Sequence, residues 1–214
     1  MKEIAIEFGG EKLLLCNARA IFWPAQHTLI LSDLHLGKSA HFRKNGIAIP
    51  KSVSENDISR LKILVNHFKA RQLIVVGDLI HAGFNSDFES FRTWLLTQND
   101  LKVTLVEGNH DTLSIEKLMQ LGIHKVVKSE YIHPFVFCHE PLSQSRSSYL
   151  ISGHLHPGVS LESPTHKRLK FPCFIVTPNL IIMPAFSEFT GLDTEDHPEN
   201  ADYYIFTKDE ILKL

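Results

Sequence analysis

Five short segments of this 214-residue chain are rich in side chains that bind divalent metals. They are Asp33-Leu34-His35, Gly77-Asp78, Gly108-Asn109-His110-Asp111, His139 and Gly153-His154-Leu155-His156. Carboxylate, imidazole and amide oxygen are the donors that two hard-to-borderline divalent ions accept. Each segment follows an apolar run that reads as a strand, so the donors are expected at successive strand ends.

The spacing suggests how they divide the work. Asp33 and His35 are two residues apart, and share a face if strand geometry continues through Leu34. Asp78 is placed to bridge two metals through its two oxygens. Asn109 offers a neutral amide oxygen, His139 follows a further strand, and His154 and His156 repeat the two-residue alternation. Two divalent ions bring four positive charges, and Asp33, Asp78 and a bridging hydroxide remove three. The remaining charge suits one phosphodiester anion. Two metals ~3.5–4 Å apart can hold a phosphoryl oxygen and the attacking hydroxide, whose formation near neutral pH they favour. Imidazole-plus-carboxylate ligation suits manganese, iron, zinc or nickel and does not pick among them.

His110 adjoins Asn109 and is expected on the substrate side. As an imidazolium it could stabilise the transition state or protonate the leaving oxygen. Asp111 could accept the other ring proton of His110, or cap a helix over Leu113 to Leu121. Lys38, His41, Arg43 and Lys44 follow the first motif closely. Lys38, His41 and Arg43 are candidate phosphate contacts, with Arg43 suited to a bidentate grip. His81 reads as a rim or surface residue, because the ligand sets are full without it. His166, Lys167, Arg168 and Lys170 form a second basic patch, read as a solvated hairpin turn with nucleic-acid contact as the alternative. Asp193 to Asp202 reads as a solvated acidic loop or a charge-repelling rim.

These residues need a scaffold. Ile4 to Phe8 and Lys12 to Leu15 read as a hairpin around Gly9-Gly10. Thr28 to Ser32 is a compact apolar run, Leu73 to Val76 reads as a buried strand, and Val103 to Val106 reads as the next strand. The segment after the first motif reads as a loop punctuated by Gly37, Gly46 and Pro50. A helix capped by Ser52 or Ser54 runs to about Ala70, with Ile58, Leu61, Leu64, Val65 and Phe68 at helical spacing. Ser86 to Leu96 and Ser114 to Leu121 are helices, the latter with Gly122 just past its end. Tyr131 to Cys138, Tyr149 to Ser152, Leu169 to Val176, Leu180 to Met183 and Tyr203 to Thr207 read as strands. The alternating half predicts a parallel sheet with helices, and the later strands a second sheet packed on it. Ligands then lie on loops at the carboxyl ends of strands.

Composition narrows the classes. A single domain over 1–214 is expected. The formal net charge of −2 argues against wholesale nucleic-acid binding. Yet Lys38 to Arg71 holds eight Lys/Arg against two Asp/Glu, and Ser187 to Glu210 eight Asp/Glu against one Lys. Such asymmetry can steer an anion to one face, or can mark two solvated faces. No apolar stretch approaches the ~20 residues of a membrane span. Cys16, Cys138 and Cys173 lack metal-type spacing, and the N-terminus lacks an apolar secretory segment, so a reducing cytoplasm is expected.

The motif series resembles the calcineurin-like metallophosphoesterase superfamily, whose pattern is D-x-H, G-D, G-N-H-[DE], H and G-H-x-H. The resemblance implies an α/β fold with layered α and β elements, a β-sandwich of two mixed sheets flanked by helices. It also implies that Asp33, His35, Asp78 and His156 hold a first metal. Asp78, Asn109, His139 and His154 would hold a second, with His110 the catalytic histidine. Ser32 to Lys38, His41-Phe42-Arg43, Gly46 to Pro50 and Cys138 to Pro141 are similar to the ligase-associated DNA damage response endonucleases (PdeM). That narrower likeness implies cleavage of DNA phosphodiesters and functional association with a DNA ligase, a helicase and an exonuclease. Superfamily nucleases often dimerise, so a homodimer is one expected state. A phosphodiesterase of cyclic nucleotides or other small molecules is the alternative, and a non-catalytic scaffold the remote one. The scaffold reading fits poorly with a complete donor set.

Overall fold

The computed structural model describes the chain except residues 45, 47, 49, 51, 82–85, 142–147, 163–166, 196, 197 and 199. The side chains of 41, 44, 52–54, 86 and 87 also lie outside the described set.

Gly9 and Gly10 both have positive φ, 61° and 80°, which a two-residue hairpin loop requires. They join β1 (Glu3–Phe8) to β2 (Glu11–Cys16). β3 (Ala20–Trp23) is a strand absent from the sequence reading; it is short and closed by Pro24. It leads antiparallel into β4 (Thr28–Leu31). From there the sheet is parallel, through β5 (Gln72–Val76), β6 (Lys102–Val106) and β7 (Lys125–Val127). The first sheet is therefore mixed, in the order β1-β2-β3-β4-β5-β6-β7.

The second sheet runs β15-β14-β12-β13-β10-β9-β8, with β11 paired to β12 at its side. Its strands are β8 (Glu130–Ile132), β9 (Phe135–Phe137), β10 (Tyr149–Ser152), β11 (Gly158–Glu162), β12 (Arg168–Val176), β13 (Leu180–Ile182), β14 (Asp202–Phe206) and β15 (Ile211–Lys213). The single strand expected over Tyr131 to Cys138 is instead a β8–β9 hairpin turning at a cis His133–Pro134 bond. Period-two patterning cannot reveal a tight reversal inside one apolar run. β7, β11 and β15 were also not anticipated; they are short and only partly buried, which blurs their alternation.

Side-chain alternation explains the apolar runs of these strands, Leu29 to Leu31 in β4, Leu73 to Val76 in β5, and Val103, Leu105 and Val106 in β6. Leu29, Leu31, Leu73, Val75, Val103 and Leu105 face a cluster shared with the helices. Ile30, Ile74, Val76 and Val106 face the other sheet, meeting Phe135, Phe137, Ile151, Phe174 and Met183. A strand buried on both faces has no polar side to show. Phe135, Phe137 and Phe174 are fully buried, and each such side chain contributes roughly 1.5–3 kcal/mol.

The helices are α2 (Ser52–Phe68), α3 (Ser86–Leu95) and α4 (Ile115–Gln120). Ile58, Leu61, Leu64 and Val65 of α2 meet Phe88, Phe91 and Trp94 of α3 in the same cluster. α2 ends where Lys69 turns left-handed at φ 49° and Ala70 N–H donates to Val65 O at 3.1 Å. Gly122, at φ 97°, follows α4 as expected. The loop expected after the first motif contains a helix, α1 (Lys38–Lys44). Phe42 of α1 meets Phe189 edge-on at 5.3 Å, so tertiary packing stabilises a segment too short to be helical alone. No helix among the described residues is long and apolar enough to cross a membrane.

Candidate metal centre

Asp33, Asp78, Asn109, His139 and His154 lie just beyond the ends of β4, β5, β6, β9 and β10 respectively. The local geometry differs from the expected continuation of the strands. Asp33, His35, Asp78, His154 and His156 all have positive φ, at 54°, 49°, 52°, 71° and 49°. A non-glycine residue in this region costs roughly 1 kcal/mol or more, and such strain gathers at functional sites. Pairing nevertheless continues past the strands. Asp33 N–H donates to Gly77 O at 3.0 Å, His35 N–H to Asp78 O at 2.9 Å and Leu36 N–H to Leu79 O at 2.8 Å. Two left-handed loops thus run side by side and hold Asp33, His35 and Asp78 together.

The donors form two adjoining groups. In the first, Asp33 Oδ1 lies 3.1 Å from His156 Nε2, and His35 Nε2 lies 3.5 Å from the same nitrogen. In the second, His139 Nε2 lies 3.2 Å from Asn109 Oδ1, 3.2 Å from His154 Nδ1 and 3.5 Å from Asp78 Oδ2. Asp78 Oδ2 is also 3.9 Å from His35 Nε2, so one oxygen faces both groups. The other oxygen, Oδ1, accepts the His110 amide at 2.9 Å, which fixes the carboxylate's orientation. Asp33 also stands within 4.8 Å of donors on Asp78 and His139, which adds it to the second group as well.

The motif glycines are explained by this crowding. A Cβ on Gly77 would strike the His139 ring, and one on Gly108 would strike Asp78. At Gly153 it would lie 2.6 Å from Asp33 Oδ2.

Electrostatics favour a cation here. Burial lowers His35 to about 3, outweighing the attraction of Asp33, so its imidazole is neutral and its Nε2 can donate a lone pair. Burial would raise Asp78, but hydrogen bonds from His139 and the His110 amide hold it at about 2. Burial would lower His139, yet the Asp78 hydrogen bond, the Asp33 charge and the Val76 carbonyl raise it to about 9. Val76 O accepts from His139 Nδ1 at 3.0 Å, which turns Nε2 toward the other donors. The donor chemistry, the separations and the buried carboxylates fit divalent metal ions.

Around this core, the His110 ring lies 5.5 Å from that of His35 and 4.7 Å from that of His81. His81 therefore stands beside the candidate catalytic histidine, in keeping with the rim position expected of it. Asp111 takes neither expected role. Ser114 is the N-cap of α4, and both Asp111 oxygens accept backbone amides, from Ile80 at 2.9 Å and Gly108 at 2.9 Å. Burial raises its carboxyl to about 6 against the pull of those amides. Asp111 staples the second motif loop to the third.

Lys38 is half-buried; burial lowers its ammonium while Asp33 and Asp78 draw it the other way. The first of the basic residues thus lies within the field of the carboxylates. Arg43 is half-buried on α1, and the His41 side chain lies outside the described residues. A cavity of about 410 Å³ opens beside Asn109 and His139, lined also by Glu107, Lys128, Cys138 and Glu140.

Sequence comparison agrees with the motifs: the profile of calcineurin-like phosphoesterases matches residues 27–175. The chain belongs to the calcineurin-like phosphoesterase family. No curated protein matches it by sequence at a significant level. Among solved structures, the Pseudomonas putida nuclease MPE is similar at 30% identity, covering 95% of this chain and 96% of that one, with a TM-score of 0.82. A protein of unknown function from Aquifex aeolicus shares 19% identity over 60% of this chain and 78% of its own, with a TM-score of 0.44. As a family member, the chain is a phosphoesterase with Asp/His clusters that can hold divalent metal.

Proposed function

We propose that this chain is a dinuclear-metal-dependent phosphodiesterase that cleaves DNA endonucleolytically in the context of DNA repair. The observation that carries the reading is Asp78 Oδ2, which faces His35 at 3.9 Å and His139 at 3.5 Å, one in each donor group. Support for DNA as substrate comes from the extent of the likeness to the Pseudomonas putida nuclease, 95% of this chain at 30% identity.

Asp33, His35, Asp78 and His156 would hold one ion, and Asp78, Asn109, His139 and His154 the other, with manganese the expected metal. When bound, the pair supplies Lewis acidity toward a phosphoryl oxygen and a water nucleophile at neutral pH. The chain's own residues do the rest. His110 is anchored through its amide to Asp78 and leaves its exposed ring to protonate or stabilise the leaving oxygen. Lys38 and Arg43 would neutralise phosphate on the α1 side, with His41 a further candidate there. A cytoplasmic setting, a homodimer and functional association with a DNA ligase, a helicase and an exonuclease belong to the same reading.

The test is cleavage of single-stranded and nicked DNA with manganese, beside an aryl phosphodiester and cyclic nucleotides. Cleavage of DNA that His110→Ala and Asp78→Asn abolish is the expected result. Activity confined to small diesters would replace the reading with that of a small-molecule phosphodiesterase. Equal cleavage by wild type and both variants would remove it.

A further inference from the structure

The β11–β12 hairpin leaves the metal centre directly. β11 begins at Gly158, two residues after His156, and β12 returns beside it in the register Gly158 to Pro172 through Glu162 to Arg168. Its base is held tightly. Asp193 N–H donates to His156 O at 3.0 Å, Gly158 N–H to Asp193 O at 2.7 Å, and Cys173 N–H to Pro157 O at 3.1 Å. A Cβ on Gly158 would meet Leu192 Cβ at 2.9 Å, so the loop before Asp193 closes on the base. An arm bound this way cannot move far relative to the metal ligands.

The two faces of the hairpin differ in kind. Val159, Leu161 and Phe171 pack on Cys173, Ile175, Ile182 and Ile205 of the second sheet. Strand alternation turns Ser160, Glu162, Arg168 and Lys170 to the opposite face. All four are exposed. Lys170 pairs in register with Ser160, and Arg168 with Glu162. At ~3.3 Å per residue they lie about 7 and 13 Å along the arm from Gly158. At the ~3.4 Å rise of a stacked strand, those positions correspond to about two and four nucleotides. Glu162 opposes the trend, but Lys167, Arg168 and Lys170 outnumber it. Among the described residues neither Arg168 nor Lys170 is held in an ion pair.

We propose that this hairpin is a strand-tracking arm, on which Arg168 and Lys170 take backbone phosphates of single-stranded DNA leading away from the metal centre. The proposal rests on the DNA phosphodiesterase reading above and extends it. A small diester bound at the metals would not reach the arm, whereas a polymer would. With the whole chain at a net charge of −2, DNA affinity must come from local cations of this kind. The outward basic face makes this role more specific than a solvated turn, for which no fixed tie to the metal ligands would be needed.

The test compares wild type with an Arg168→Ala/Lys170→Ala double variant in manganese, on a single-stranded oligonucleotide and an aryl phosphodiester, over a series of KCl concentrations. Two lost phosphate contacts, at ~0.7 each for single strands, should reduce the salt slope of log KM by about 1.4 and raise the oligonucleotide KM about 5–10-fold. Turnover of the aryl diester should stay at the wild-type value, and Arg168→Lys should retain the slope. Unchanged oligonucleotide KM and slope would overturn the arm. So would equal losses on both substrates, since the hairpin would then act on the centre itself. Wild-type enzyme that hydrolyses the aryl diester but no DNA is a separate result, and overturns the DNA reading instead.

Discussion

Asp78 Oδ2 stands 3.5 Å from His139 Nε2, while the other nitrogen of that ring is held by Val76 O at 3.0 Å. The carboxylate comes from the first sheet and the imidazole from the second. The candidate centre therefore forms only when both sheets are packed, and Asp78 Oδ2 is an atom that faces both groups. Asp78→Asn removes the charge and keeps the shape. Turnover of an aryl phosphodiester should fall by roughly 10³-fold, with fewer than two metal ions retained by elemental analysis. Two retained ions and near-normal turnover would show that Asp78 does not join the sites.

Metal should stabilise the fold. Five donor residues sit at positive φ and two buried carboxylates share one spot, so the native state gains from a bound cation that the unfolded chain cannot hold in this geometry. At a manganese concentration ~100-fold above Kd the gain is about 2.7 kcal/mol, or a Tm rise of roughly 5–10 °C. EDTA should reverse it. A Tm that ignores both additions would count against the metal centre.

Gly108→Ala tests the crowding. The new methyl would meet Asp78, which cannot retreat without losing the His110 amide. A destabilisation of about 1–3 kcal/mol and weakened manganese binding are expected in denaturant and metal titrations. Wild-type affinity in this variant would mean that the two motif loops are less tightly joined than described.

Arg60 joins the basic and acidic segments. Its guanidinium donates to Asp57 Oδ1 at 2.8 Å, to Glu188 Oε1 at 2.8 Å and to Phe186 O, and lies 4.4 Å from the Phe186 ring. The same segment reaches Asp33, whose carbonyl accepts the Ser187 amide at 3.1 Å. Arg60→Ala leaves the buried Asp57 carboxylate without its cation and should cost about 3 kcal/mol by denaturant unfolding. Arg60→Lys should recover only part, because an ammonium lacks the planar fork. Full stability in Arg60→Ala would dismiss this clamp.

The thiols report on burial. Burial pushes Cys173 up to about 12 and also raises Cys16. Neither should react with iodoacetamide at mildly alkaline pH while the chain is folded, because the thiolate is the nucleophile. Mass spectrometry should find at most Cys138, which lines the cavity beside His139, labelled before unfolding and all three labelled after. Rapid native labelling of Cys173 would contradict the packing of the second sheet.

The residues that cluster as candidate donors were legible in the chain alone, as were most of the strands that carry them. Leu73 to Val76 is apolar throughout because both of its faces are buried, and a single sequence shows that run directly. Gly77, Gly108 and Gly153 were visible as motif members, but the reason for them was not. It lies in side chains from other segments, His139, Asp78 and Asp33, that occupy the space a Cβ would need. Only the tertiary structure decided which Asp78 oxygen faces both donor groups, that Asp111 holds two backbone amides rather than the His110 ring, and that His81 stands beside His110. Local spacing sets which residues can share a strand face, whereas left-handed loops and the packing of two sheets set where their atoms meet. The basic turn near Arg168 shows the same division. Its charge was evident from composition, but its attachment two residues beyond His156 became meaningful only once β11 and β12 were paired in register.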